Sequence, residues 1–274
     1  MPLDALLLAL GSAFLHAGWN YWVKTSTDRL LAMWGVVTTG ALLFLPVVLI
    51  RGIDPVTYPY LLASGVMLTA YVFALAAAYD RVEFSLAYPV ARGTAPAVAA
   101  LLGLVFLGET LGVWATVALG LIVVSLLSMV GKPSSVPGIE FALLTGLIIA
   151  TYSVIDAAGA RRIDDGLTYS AAVYVVNAAM ATPLVLWVRG RAAFDALRRD
   201  WVAMAVAGAA SVVAYALVLS AALLAPVGPV SAVRETSVIL GAWLGTVRLG
   251  EGGRQRRVVA AIGVVAGIAL LSFG

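Results

Sequence analysis

The stretches "ARGTAPAVAALLGLVFLGE" (91–109) and "VRETSVILGAWLGTVRLGE" (233–251) are two versions of one segment. At an offset of 142 residues they align Arg92 with Arg234, Thr94 with Thr236, and Leu107-Gly108-Glu109 with Leu249-Gly250-Glu251. Across 86–109 and 228–251, nine of 24 positions are identical. Matches of Ala, Leu and Gly are cheap in an apolar chain; matches of Arg, Thr and Gly-Glu are not. Upstream, "AYVFALAAA" (70–78) pairs with "AYALVLSAA" (214–222) at an offset of 144, and the "LLS" at 126–128 recurs at 270–272. The chain reads as two copies of one unit, 1–131 and 137–274.

Both copies are built for lipid. Of 274 residues, 62% are hydrophobic and 11% charged, where a soluble domain carries about a quarter charged. A helix needs about twenty apolar residues to cross a bilayer. Cutting at charges, Gly and Pro leaves ten such runs: 3–23, 30–50, 58–79, 83–107, 112–130, 137–159, 167–188, 201–223, 227–248 and 256–273. Backbone in lipid must satisfy its own hydrogen bonds, so runs of this length are helices. Barrel strands are about half as long and alternate in polarity. Abundant Ala and Gly allow close helix packing. The expected fold is therefore all-α, ten transmembrane helices as two five-helix repeats. Five is odd, so the second copy enters the membrane inverted. The polar stretch at 188–200 is long enough for a surface helix.

Charge and composition bound the rest. The net charge of +3 in such a chain is no sign of nucleic acid. There are no cysteines, so no disulfide or Cys-ligated metal is expected. The start Met1-Pro2-Leu3-Asp4 lacks the basic region and cleavage site of a secretory signal, so the first apolar run is expected to be retained. Loops after the odd-numbered spans hold twelve basic residues and the others three. The positive-inside bias then predicts a multi-pass cell-membrane protein with both termini non-cytoplasmic.

Inverted repeats are the architecture of secondary transporters, whose substrate site lies near the midplane between the repeats. With "LGE" closing spans 4 and 9 and "HAGWNYWVK" (16–24) in span 1, the chain resembles the drug/metabolite transporter superfamily, in its EamA-type branch. That resemblance implies helices 1–4 and 6–9 around a central cavity, with 5 and 10 outside. It also implies alternating-access transport of a small metabolite such as an amino acid, with export favoured.

Charges inside spans are expensive and mark function or structural ties. Arg92 and Arg234 occupy repeat-equivalent positions, and an arginine fork suits a carboxylate, phosphate or phosphonate. The alternative is that each ties helices together. Glu235 follows Arg234, and neighbouring helical residues point about 100° apart. It is thus expected to need another partner: a substrate ammonium, a coupling proton, or a different Arg. Its first-repeat equivalent is Gly93. On span 1, Ser12, His16, Trp19 and Asn20 fall on one stripe. Tyr152 and Asp156 are an i,i+4 pair on span 6; Tyr174 and Asn177 are i,i+3 on span 7. Tyr71 and Tyr215 are repeat equivalents, and Tyr88 sits on the face of Arg92. The expected substrate-binding set is Arg92, Arg234, Glu235, His16, Trp19, Asn20, Tyr71, Tyr88, Tyr152, Asp156, Tyr215 and Asn177. Trp34, Trp114, Trp187 and Trp201 read as interfacial anchors. Glu109 and Glu251 are expected to sit at the dipole-positive start of the following helix.

With one His, no Cys and few intramembrane acids, no catalytic, metal or cofactor site is expected. A nucleotide-binding motif is also missing from the sequence. The reading is a secondary transporter of a small polar metabolite with an anionic group, in which a monomer suffices and proton coupling is open. A lipid-head-group flippase of the same superfamily is the nearer rival and a membrane enzyme the more distant one.

Overall fold

The computed structural model describes residues 1–81, 84–128, 137–239 and 254–271. Among them are ten α-helices, one 3-10 turn (η1, Pro55–Thr57) and no strand. The helices are α1 (Leu3–Thr25), α2 (Arg29–Arg51), α3 (Tyr58–Arg81), α4 (Phe84–Phe106) and α5 (Val113–Ser128), then α6 (Ile139–Ile163), α7 (Gly166–Arg189), α8 (Ala192–Leu224), α9 (Val227–Arg234) and α10 (Arg254–Leu271). Five stretches are long and apolar enough on their own to cross a bilayer: 29–51, 55–75, 139–163, 166–189 and 192–224. Shorter apolar helices cover 90–106, 113–128 and 259–271.

Local chemistry ends the spans where the polar residues fall. Asp28 caps α2 by accepting from the Leu31 N–H at 3.1 Å, and Gly52, at φ 76°, closes its other end. Asp165 caps α7 by accepting from the N–H groups of Leu167 and Thr168, both at 3.0 Å. Burial opposes ionisation of Asp165, but the Thr168 hydroxyl and N–H and the Arg51 guanidinium outweigh it and hold the carboxyl below the usual range. The polar stretch at 192–199 is helical and breaks from the following span at Asp200 (φ −113°, ψ 16°). Ala193 and Ala196 of this short helix pack against Leu31, Trp34 and Val185, while Arg198 and Arg199 face outward.

The outside of the bundle is what lipid tolerates and water does not. Leu49, Ile50, Phe106, Trp187 and Ile262 are between 65% and 85% exposed, and such a continuous apolar surface marks a membrane-facing protein. Trp114 and Trp201 are exposed as well. Trp34 is not: it is buried, and its Nε1 donates to Thr182 Oγ1 at 3.0 Å. It is a tie between α2 and α7 rather than an interfacial anchor, because its indole N–H finds a hydroxyl inside the bundle.

Helices of the first half pack chiefly on helices of the second. α1 lies against α8 and α3 against α6; α4 lies against α6 and α1 against α9. α2 meets α7, α4 meets α9, and α5 meets α10. Exchanging each helix with the one five places along maps this set of contacts onto itself. Small residues permit the approach. A Cβ on Gly208 would sit 2.7 Å from the Gly40 nitrogen and 2.8 Å from the Val36 carbonyl oxygen, where α8 crosses α2. The Thr39 hydroxyl bonds the Met204 carbonyl at 2.7 Å across the same crossing.

Gly208→Ala should therefore force α2 and α8 apart and cost about 1–3 kcal/mol, the usual range for overpacking. Gly18→Ala, where a Cβ meets nothing within 4 Å, should be neutral or slightly stabilising, since Ala is the better helix former. Melting of the two purified variants in the same detergent checks this, and equal melting temperatures would contradict it.

Candidate functional site

A cavity of about 80 Å³ opens in the middle of the bundle. One water needs roughly 10–15 Å³ measured this way, so the space suits several waters or one small solute. Its walls come from α1 to α4 and α6 to α9; among the described residues, α5 and α10 contribute none. Part of the wall is apolar, with Met33, Val36, Val37, Leu68 and Val72. Packed among these are the aromatic and cationic side chains Tyr71, Tyr152, Tyr174, Tyr215, Arg92 and Arg234. The rings meet edge-on: Tyr71 and Tyr152 have centroids 6.1 Å apart and Tyr152 and Tyr215 6.4 Å apart.

Behind that wall lies a buried cluster of three charges. Arg92 Nη1 reaches both Glu235 oxygens, at 3.2 and 3.3 Å, and Arg234 donates to Glu235 Oε1 from Nε at 3.3 Å and Nη2 at 3.0 Å. Arg92 Nη2 also donates to the Tyr71 hydroxyl at 3.4 Å. The side chains are 3%, 5% and 0% exposed for Arg92, Arg234 and Glu235. One carboxylate faces two guanidiniums beside the cavity. The expectation that Glu235 could not pair with its neighbour is corrected here. α9 stops at Arg234. The amides of Thr236, Val238 and Ile239 then bond carbonyls three residues back, at Val233, Glu235 and Thr236. This tightened 3-10 pattern replaces the regular 100° step, and the long Arg234 side chain folds back onto the carboxylate. The expected span 227–248 is thus broken at its charges; residues 240–253, including Glu251, lie outside the described residues.

A second buried carboxylate sits one layer out. Asp156 on α6 is fully buried and accepts from Ser64 Oγ at 2.8 Å, from the Tyr169 hydroxyl at 3.1 Å, and from the Tyr215 hydroxyl. Of the three donors, Tyr215 also lines the cavity. On the far side of Tyr215 and Arg234 is a smaller cavity of about 20 Å³, bounded by Ser153, Ala222, Val227 and Ser231. Tyr215 and Arg234 thus form the partition between the two spaces.

The smaller cavity ends under a clip at the α8–α9 turn. Arg161 donates to the Ala222 carbonyl from Nε at 3.0 Å and Nη2 at 2.8 Å, and Nη2 lies 2.6 Å from Glu109 Oε1. Glu109 in turn accepts from the Val227 N–H at 3.1 and 3.0 Å. Glu109 does serve a helix N-terminus, but that of α9 rather than of its own following helix α5. The reason is that Gly108, at φ 63°, turns the chain back before α5 begins.

The expected residues distribute as follows. His16, Trp19, Tyr71, Arg92, Tyr152, Asn177, Tyr215 and Arg234 line the cavity together. His16 and Trp19 touch edge-on at 4.9 Å. His16 Nε2, Trp19 Nε1 and Asn177 Oδ1 are buried with no protein hydrogen-bond partner among the described residues. Glu235 and Asp156 stand behind the wall. Asn20 is not on it: its Nδ2 donates to the His16 carbonyl of its own helix at 2.9 Å, because the residues of the stripe drift round the helix from the face that Ser12 and His16 share. The side chain of Tyr88 lies outside the described residues. Ser64, Tyr169, Ser211 and Arg161 were not singled out from the sequence. Ser64 is a single hydroxyl in an apolar run, and Arg161 read as an ordinary loop charge.

Removing one partner of a buried ion pair leaves the other uncompensated, which costs about 3–5 kcal/mol. Glu235→Gln removes the partner that two guanidiniums share, whereas Arg234→Gln keeps the Arg92–Glu235 pair. Melting temperatures should therefore fall in the order wild type, Arg234→Gln, Glu235→Gln. A Glu235→Gln protein that melts at or above Arg234→Gln would contradict the role of Glu235 as the shared partner.

A family profile described as the EamA-like transporter family matches residues 136–273. No curated protein matches the sequence. A solved structure described as "Crystal structure of protein" superimposes with a TM-score of 0.77 over 98% of this chain and 98% of that one, at 17% identity. That is a likeness of fold. The profile covers half of the chain, on a ten-helix bundle with an apolar outer surface. The chain belongs to the EamA-like transporter family and is a multi-pass membrane protein.

Proposed function

We infer that the protein is a secondary transporter of a small polar solute bearing an anionic group, such as an amino acid, an organic acid or a phosphonate. The observation that carries this reading is the pair Arg92 and Arg234, which reach one cavity from α4 and α9 and meet at the Glu235 carboxylate. Two guanidinium forks on one cavity wall suit an anionic group. His16, Trp19 and Asn177 offer further hydrogen bonds to the rest of a solute. The exchange-symmetric packing of α1–α5 against α6–α10 supports two inverted copies, 1–131 and 137–274, that rock about the site between them. Family resemblance favours export, and a monomer contains every part of the site.

A charge-assisted hydrogen bond contributes about 1.5–3 kcal/mol, or roughly one to two decades in affinity. Lysine keeps the charge but loses the fork. The solute is first identified by thermal shift against amino acids, organic acids and phosphonates. Its affinity should then fall moderately in Arg234→Lys and further in Arg234→Gln. An uncharged analogue should be indifferent to both changes. Wild-type affinity in a folded Arg234→Gln protein would sink the anion-site reading.

The basic-loop bias places both termini on the non-cytoplasmic side. In the structure the start of α1 and the end of α10 lie on the same side, with the Met1 amino group donating to the Leu271 carbonyl oxygen at 2.6 Å. An alkaline phosphatase fusion at the C-terminus should be active, and a reporter that fluoresces only in the cytoplasm should stay dark. The reverse pattern would invert the orientation.

A further inference from the structure

We propose that Asp156 is a proton-binding site, loaded from the central cavity through the Tyr215 hydroxyl, and that it rather than Glu235 carries the coupling ion of the transport cycle. The second half of this statement rests on the transporter reading above; the first does not.

The two buried carboxylates have opposite surroundings. Glu235 is clamped between two guanidiniums. Asp156 is equally buried, yet among the described residues no salt bridge reaches it. Its bonds come from neutral hydroxyls: Ser64 on α3, Tyr169 on α7 and Tyr215 on α8. The groups facing it from the other packed elements do not neutralise it. Arg234 on α9 acts on it only at a distance and is bonded to Glu235; Arg92 on α4 is bonded to Glu235 and Tyr71. Tyr152 lies one turn earlier on α6 itself. A carboxylate bonded only by neutral hydroxyls can exchange a proton with them without breaking an ion pair.

The route is a single relay. Tyr215 faces the cavity and bonds Asp156 Oδ2. An incoming proton bonds the Tyr215 oxygen as the tyrosine's own hydrogen crosses to Oδ2. One O–H bond breaks at Tyr215, one forms there, and one forms at Asp156. The carboxylate becomes a neutral acid that now donates to Tyr215. Because Tyr215 is also part of the partition to the smaller cavity, this reversal falls on a residue that separates the two spaces. Proton occupancy and the state of the partition are thereby linked.

The test uses the full chain reconstituted in lipid and protons as the only ligand. Infrared difference spectra across a pH titration should show a carboxylic-acid C=O band that appears on acidification. The band should be lost in Asp156→Asn and kept in Glu235→Gln. It should be displaced in frequency and pH in Asp156→Glu, the variant that carries the test if Asp156→Asn does not fold. Tyr215→Phe should keep the band but slow its appearance after a pH jump. A band that survives in folded Asp156→Asn, a band missing from wild type, or a titration that moves with sodium chloride would each overturn the proposal. The transporter reading fails separately. If the band behaves as expected while no carboxylate or phosphonate in the thermal-shift panel stabilises the protein, the proton site stands and the transport role falls.

Discussion

Ionised groups in an apolar bundle must be compensated where they stand, and in this protein two guanidiniums meet at one carboxylate. Glu235 holds Arg92 and Arg234 within 3.3 Å, and the effective cost of burying each ion is several kcal/mol. Much of the centre follows from that need. α4 and α9 must cross close enough for their arginines to share one partner. α9 must break after Arg234, since an unbroken helix would aim Glu235 away from its neighbour. The packing of Gly228 against Ala100 brings the two helices to that distance. Both guanidiniums then reach the cavity wall.

Around this cluster the polar groups form layers. The innermost faces the cavity: Arg92, Arg234, the tyrosines and the partnerless atoms of His16, Trp19 and Asn177. Behind it stands the hydroxyl-bound Asp156, which joins α3, α6, α7 and α8. Outermost, Arg161 and Glu109 hold the α8–α9 turn over the smaller cavity. Arg51–Asp165 ties the end of α2 to the start of α7, and Arg189–Asp28 links the other ends of the same pair. The ties nearer water are individually weak.

Much of this was legible in the sequence because lipid enforces simple rules. Runs of about twenty apolar residues mark helices, and the observed ends fall within a few residues of the predicted ones at most boundaries. Charges inside runs mark interior sites, which is why Arg92, Arg234, Glu235, His16 and Asp156 stood out. What could not be read depends on tertiary partners. Trp34 near a span end reads as an anchor until Thr182 accepts its indole N–H. Glu109 reads as belonging to α5 until the turn at Gly108 brings it under α9. Glu235 reads as turned away from Arg234 as long as α9 is taken to be continuous. Ser64 and Tyr169 carry no periodic signal, and their role appears only once α3 and α7 bring them to Asp156.

If Arg92 and Arg234 form an anion site, an external anion can occupy the place of the Glu235 carboxylate once that side chain is neutralised. The most direct measurement is anion rescue of Glu235→Gln. Its melting temperature is followed against rising acetate, glycine or methylphosphonate, with chloride held at the same ionic strength. If the arginines form an anion site, one of these solutes should stabilise Glu235→Gln more than it stabilises wild type, because it occupies the position the side chain has given up. The gain should vanish in Arg92→Gln/Glu235→Gln/Arg234→Gln. Equal response of Glu235→Gln and wild type to every anion, or rescue that persists without the arginines, would contradict the account.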